Sequence, residues 1–162
     1  MHYWAVLELL GLVTIANGTP VLSKRMLGDR FAWPLDGNRK FIDGRPLFGT
    51  SKTVRGILLS VVVTSVCAPL VGLNAAIGFL VAVTAMAGDL LSSFLKRRLA
   101  LAPSSRAIGL DQIPESLLPL VAAHQELGLT ATDILIGVAV FVAGELALSR
   151  MLFQLRLRDR PY

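Results

Sequence analysis

The stretch AGDLLSSFLKRRLALAPSSRAIGLD, Ala87–Asp111, decides how the chain is read. It opens inside a long apolar run, breaks into a basic loop and ends on a second carboxylate. At helical spacing Asp89, Ser92, Ser93 and Lys96 share one face, because residues three, four and seven apart stack along a helix. A carboxylate, two hydroxyls and an ammonium then form one stripe at the end of an apolar helix. A carboxylate near the bilayer centre costs about 2.5–3.5 kcal/mol, and less toward the interface. A residue that expensive faces a site or a partner rather than lipid.

The composition around the stripe points to a membrane. Of 162 residues, 54% are hydrophobic and 17% charged, and mean hydropathy is +0.64. A soluble domain carries about a quarter charged residues. The expectation is an all-α polytopic integral membrane protein, one domain over residues 1–162, with about five transmembrane helices and long cytoplasmic loops. The spans are placed at Tyr3–Leu22, Ile57–Leu73, Ala75–Lys96, Pro114–Leu129 and Ala131–Phe153. The fourth is barely long enough to cross and would be partly covered by its neighbours. Pro69 predicts a kink, and Gly72–Asn74 a tight outer turn. Gly78, Ala82, Ala85 and Ala87 permit close helix contacts. Asn17, Gly18 and Pro20 predict that the first helix loosens near its inner end and frees backbone groups for a ligand.

The charge pattern gives an orientation. All 16 Lys and Arg lie in three places, eight in 24–55, four in 96–106 and four in 150–160. Cations concentrated on one side of the spans follow the positive-inside pattern. It accounts for the net charge of +5 without a nucleic-acid partner, and none is expected. The N-terminus is placed outside the cell membrane, and the basic loops and C-terminus in the cytoplasm. Those loops face anionic membrane lipids. The lone Cys67 allows no intrachain disulfide. The N-terminal apolar run lacks a preceding cation and a clear cleavage site, and is read as a retained span.

The first basic loop, Ser23–Arg55, is too long for a simple turn. Lys24–Trp33 has the alternation of an interfacial helix. From Pro34 to Gly56, two Asp-Gly steps mark turns. Arg39, Lys40, Arg45, Lys52 and Arg55 stand there among Gly, Ser and Thr, a composition suited to phosphate. Gly49–Thr53, GTSKT, lacks the first glycine and the strand of a P-loop. Glu8 is read as a helix-packing residue. Glu145 and Ser149 share a face of the last span. His124 and Glu126, at i, i+2, point to different sides and form no metal pair.

Four segments in series then carry a resemblance: ANGTP at 16–20, DGNRKFIDGRPLFGTSKTVRG at 36–56, AGDLLSSFLKRR at 87–98 and LDQIPESLLP at 110–119. Together they closely resemble the CDP-archaeol synthase family, membrane CTP-dependent cytidylyltransferases related to CDP-diacylglycerol synthase. The resemblance implies transfer of a cytidylyl group from CTP to a lipid phosphate, with Mg²⁺ as cofactor and release of pyrophosphate. It implies that Asp89 and Asp111 bind the metal, and that Lys96 and Arg97 bind phosphate. Asp89, Asp111 and Lys96 form the implied catalytic set. Asn17, Asp43, Arg45, Lys52, Thr53 and Arg55 match the nucleotide and phosphate loops, and Ser92 and Ser93 complete the substrate-binding set. Pro114 stands where the family motif carries a further acid, and Glu115 is the nearest substitute. The acceptor is left open among an isoprenoid ether, a diacylglycerol phosphate and another lipid phosphate. The rival reading is a non-catalytic scaffold or small transporter subunit binding anionic head groups. It leaves the glycines and hydroxyls of 37–56 unexplained, and a transporter places its polar groups nearer the midplane.

Overall fold

The computed structural model describes residues 2–101 and 107–154. Arg106, Arg156, Arg158 and Arg160, counted above as topology signals, lie outside the described residues. The elements are α1 (Tyr3–Leu27), α2 (Val54–Cys67) with a 3₁₀ turn at Ala68–Val71, α3 (Ala75–Arg98), α4 (Gln112–Ala122), α5 (His124–Leu127) and α6 (Ala131–Gln154). The described residues contain no strand beyond two isolated bridges, so the architecture is all-α.

Four segments are long and apolar enough to cross a membrane: Tyr3–Leu27, Val54–Val71, Ala75–Arg98 and Ala131–Met151. The expected fourth span, Pro114–Leu129, is divided between α4 and α5, of 11 and 4 residues, and connects the Gly88 contact to the His2–Asp133 contact at the other end of the bundle. At 1.5 Å per residue α4 rises only about 16 Å, roughly half a hydrocarbon core. Its Ser116, Pro119 and Leu120 are fully buried against the longer helices, which cover what a short helix cannot shield from lipid.

The core sits between α1, α3, α4 and α6. Leu9, Leu12, Val13, Val81 and Leu120 are fully buried there. Toward the end that carries the loops, Ala16, Ala85 and Met86 form a second cluster. Small residues set the spacing. A Cβ on Gly78 would lie 2.6 Å from Ala68 Cβ and 2.9 Å from Thr64 O, so α2 and α3 touch backbone to backbone. Ala82 and Ala85 are buried as expected, whereas Ala87 is exposed. Pro69 opens the 3₁₀ turn, and Gly72 takes a left-handed φ of 86°. Asn74 then caps α3 by accepting from Ile77 N at 2.8 Å. The Glu8 carboxyl lies beside this turn, 3.5 Å from where a Cβ on Gly72 would stand.

Two local expectations for α1 change. The helix runs unbroken through Asn17, Gly18 and Pro20. A proline ring has no N–H for the carbonyl four residues back. That carbonyl, Ala16 O, accepts from the buried Ser60 hydroxyl of α2 at 2.7 Å, so it is spent on packing rather than freed for a ligand. At its other end α1 absorbs Lys24–Leu27. Positive φ at Gly28 (53°) and Phe31 (57°) then turns the chain, which replaces the interfacial helix expected over 24–33.

The closest approach is at Gly88. A Cβ there would lie 2.5 Å from Pro114 C and 2.8 Å from Glu115 N. Gly88→Ala should therefore force α4 away from α3. Overpacking of this kind costs about 1–3 kcal/mol. A lowered thermal midpoint in detergent, together with lost activity, is the expected result, and an unchanged midpoint would contradict the contact.

Candidate active site

Asp89 lies in the loop-side half of α3, which runs on to Arg98. Lys52 Nζ lies 2.5 Å from both of its carboxylate oxygens. On the other side the Glu115 carboxyl is hydrogen-bonded to the Asp89 carboxyl, with Glu145 of α6 close enough to act on Glu115 through its charge. The pairing follows from Gly88, whose missing side chain lets the first turn of α4 slide against α3. Two carboxyls at such range repel unless a proton or a cation lies between them. Among the described residues no group of three His, Cys, Asp or Glu is arranged to hold a metal. Mg²⁺ commonly takes one or two carboxylates with water and substrate phosphate oxygens, so the donor set at Asp89 fits that ion.

Asp111 is held separately. Its Oδ1 pairs with Lys96 Nζ at 2.6 Å, and its Oδ2 accepts from Ala107 N at 3.1 Å. Ser92 Oγ donates to Gly88 O at 2.9 Å and sits 3.4 Å from Asp111 O. Ser93 and Arg97 are buried in the same region. Asp89 and Asp111 thus flank one buried polar stripe, each closed by a different lysine. The acid brought directly against Asp89 is Glu115.

The loop between α1 and α2 is built around Asp36. This buried carboxylate accepts from Phe48 N and Gly49 N at 3.0 Å each, and from Asn38 N at 3.0 Å. Burial pushes its pKa up, but the amide bonds from Phe48, Gly49 and Asn38 together outweigh that, holding it below the ordinary 3.8. Thr53 ends the loop as the cap of α2, its Oγ1 accepting from Gly56 N at 3.2 Å.

Asp43 and Arg45 serve the loop rather than the cleft. Asp43 pairs with Arg98 at 2.6 Å, and Arg45 Nη1 donates to Arg98 O at 2.6 Å and Arg97 O at 3.3 Å. Arg98 also donates to Pro46 O at 2.6 Å and lies 4.8 and 4.9 Å from the Phe41 and Phe94 ring centres. The hairpin thereby satisfies carbonyls that the C-terminus of α3 leaves without partners, at its negative dipole end.

Between α1, α2, α3 and this loop lies a cleft of about 390 Å³, within the size range of small-molecule sites. Lys24, Lys52, Thr53, Arg55 and Asp89 give it polar groups, and Pro20, Ile57 and Met86 an apolar wall. Of the residues picked from sequence, Lys52, Thr53, Arg55 and Asp89 line it. Asn17 stands one turn before Pro20, both side-chain amide atoms buried with no hydrogen-bond partner among the described residues. Arg55 also pins the turn after α1, donating to Gly28 O at 3.0 Å and to Arg30 O. Sequence reasoning missed Asp36, Lys24 and Arg98, and noted Glu115 only as a substitute. An acid directly before a turn glycine, Asp36-Gly37, was the available signal.

The model of the CarS-like CDP-archaeol synthase family matches residues 19–162. This chain belongs to the CDP-archaeol synthase family. It is 38% identical over 135 residues to the CDP-archaeol synthase of Hyperthermus butylicus, covering 75% of this chain and 77% of that one. It is 33% identical over 153 residues to the CDP-archaeol synthase of Pyrobaculum calidifontis, covering 91% of each. A solved structure of an intramembrane enzyme for archaeal membrane lipids biosynthesis superposes with a TM-score of 0.73 at 32% identity, covering 87% of this chain and 90% of that one. As a CDP-archaeol synthase family member the chain is a CTP-dependent cytidylyltransferase. It activates a lipid phosphate to a CDP-lipid in membrane lipid biosynthesis. The scaffold and transporter readings are thereby set aside.

The Asp36 knot predicts a pH dependence. A carboxylate whose folded pKa is depressed contributes stability above its unfolded pKa, about 3.9, and loses it as pH falls through the folded value. Protease resistance of the 34–53 loop should hold at pH 5 and above and fall away below about pH 4. Asp36→Asn should show the weakened loop already at neutral pH, since it removes charge-assisted bonds worth about 1.5–3 kcal/mol. Equal resistance in both proteins would count against the knot.

Proposed function

We propose that this chain transfers the cytidylyl group of CTP to an isoprenoid-ether lipid phosphate of the archaeol type at the Asp89 cleft, on the cytoplasmic side of the cell membrane. The acceptor class comes from the curated relatives, which are CDP-archaeol synthases. The side comes from the eight cations within 24–55, read by the positive-inside rule. The observation that carries the residue roles is Asp89, set in the cleft between the Lys52 ammonium and the Glu115 carboxyl.

A lipid phosphate oxygen attacks the α-phosphorus of CTP in line. The bond to the β-phosphate oxygen breaks, and pyrophosphate leaves with its electron pair. An ionised phosphate needs no strong base, so positioning and charge neutralisation supply the catalysis. Lys52 and Arg55 would grip the triphosphate from the loop side, and the apolar wall would take the less polar part of the nucleotide. Asp89 is the carboxylate that would hold Mg²⁺, with Glu115 beside it and Asp111 beyond, released as Lys96 turns to phosphate. Bound there, Mg²⁺ supplies Lewis-acid neutralisation of phosphate oxygens. Arg97 and the two serines would line the route between the aspartates. Asp43 and Arg45 act at one remove, by fastening the loop that carries Lys52. Asn17 would offer its unpartnered amide to the nucleotide.

Purified protein with labelled CTP and a panel of lipid phosphates should yield a CDP-lipid, most efficiently from the archaeol ether phosphate. No product from any acceptor would overturn the reading. Asp89→Asn should cut turnover at least about a hundredfold, the scale of losing a central electrostatic group, with an unchanged melting profile. Near-normal turnover would remove Asp89 from the metal site.

A further inference from the structure

The turn that follows α1 is pinned from within and bare on the outside. Arg55 holds it by the carbonyls of Gly28 and Arg30, and Val54 N donates to Trp33 O at 3.1 Å. Its outer surface carries Met26 (83% exposed), Phe31 (66%) and Trp33 (68%). Phe31 and Trp33 meet edge to face, with ring centres 6.2 Å apart. This surface continues the exposed apolar flank of α1 at Val21 and Leu22. A set of bare aromatics among Lys24, Arg25 and Arg30 matches the membrane–water boundary, where aromatic rings and cations collect.

The same segment is a wall of the cleft. Lys24, Gly28, Asp29 and Ala32 line it from inside. Lys24 forms no ion pair among the described residues, unlike Lys52 and Lys96. A wall that is apolar outward and bears an unpaired ammonium inward suits an amphipathic substrate. Its chains stay in the bilayer while its phosphate crosses the wall. Counting Lys24, Lys52 and Arg55 against Asp29 and Asp89, the lining keeps an excess of positive charge for an anion.

We infer that the Met26–Trp33 turn is the port by which the acceptor lipid enters, with Lys24 receiving its phosphate and Phe31 and Trp33 seating the turn at head-group depth. Lys24 is then a substrate-positioning group for the lipid rather than for CTP. The inference rests on the proposed lipid-phosphate reaction.

Kinetics in zwitterionic vesicles separate the two substrates. Lys24→Gln should raise KM for the archaeol ether phosphate about tenfold, the loss of one charge-assisted bond, while KM for CTP stays within about twofold. Lys24→Arg should restore most of the lipid affinity. An unchanged lipid KM, an equal rise in the CTP KM, or an effect confined to anionic vesicles would overturn the port. The last outcome would mean a bulk attraction for the membrane. A second measurement needs no turnover. Trp4→Phe leaves Trp33 as the sole tryptophan. Its emission should be quenched by lipids brominated near the head group more than by lipids brominated deep in the chain. Adding the lipid phosphate without CTP should shift that emission, and the shift should disappear in Lys24→Gln. A Trp33 untouched by either lipid would place the turn in water and end the proposal. If the unaltered enzyme makes no CDP-lipid, the proposed reaction fails instead, which is a distinguishable result.

Discussion

The contact on which the site depends is backbone against backbone at Gly88. Only a residue without a Cβ lets the start of α4 reach α3 at that point. The neighbouring positions on the two helices are acids, Asp89 and Glu115, so close packing and charge are set by one approach. The short α4 explains why this is possible. A helix long enough to span would be fixed by the bilayer at both ends. An 11-residue helix is free to be placed by its neighbours.

Around that contact the polar groups are arranged in two ranks. One contacts the cleft: Lys52, Arg55 and Asp89. The other fixes the first: Asp36 gathers the loop amides, Thr53 starts α2, and Arg45 and Arg98 lock the hairpin to the end of α3. Surface ion pairs are worth little on their own. Here they join to carbonyls that a helix end leaves without partners, and to rings that the guanidinium covers. The combination gives a definite shape to a segment, 24–55, that carries eight of the sixteen cations, where acids and carbonyls meet it.

The membrane class and the positions of four long helices were legible in the sequence, because hydropathy blocks are local signals. The break of the fourth span into two short helices was not. Apolar content alone cannot tell a helix that crosses lipid from one shielded by protein, and Pro114–Leu129 has the composition of both. The interfacial helix over 24–33 was lost to left-handed backbone at Gly28 and Phe31, the second of which no propensity marks. The resemblance implies that Asp89 and Asp111 both bind the metal, and in the structure each is paired with a different lysine. Which lysine closes on which acid depends on how far α4 slides along α3, and that is set by Gly88, whose role in sequence looks like any small residue.

Pro20 has one more effect. A proline in a helix wall presents neither a hydrogen-bond donor nor a flexible side chain, and the carbonyl it strands is already tied to Ser60. The patch of wall that Pro20 forms with Ile57 and Met86 is therefore chemically mute, while Lys24 and the opposing loop supply the donors. Such lopsidedness gives a guest molecule a preferred heading: its most anionic end turns away from that patch.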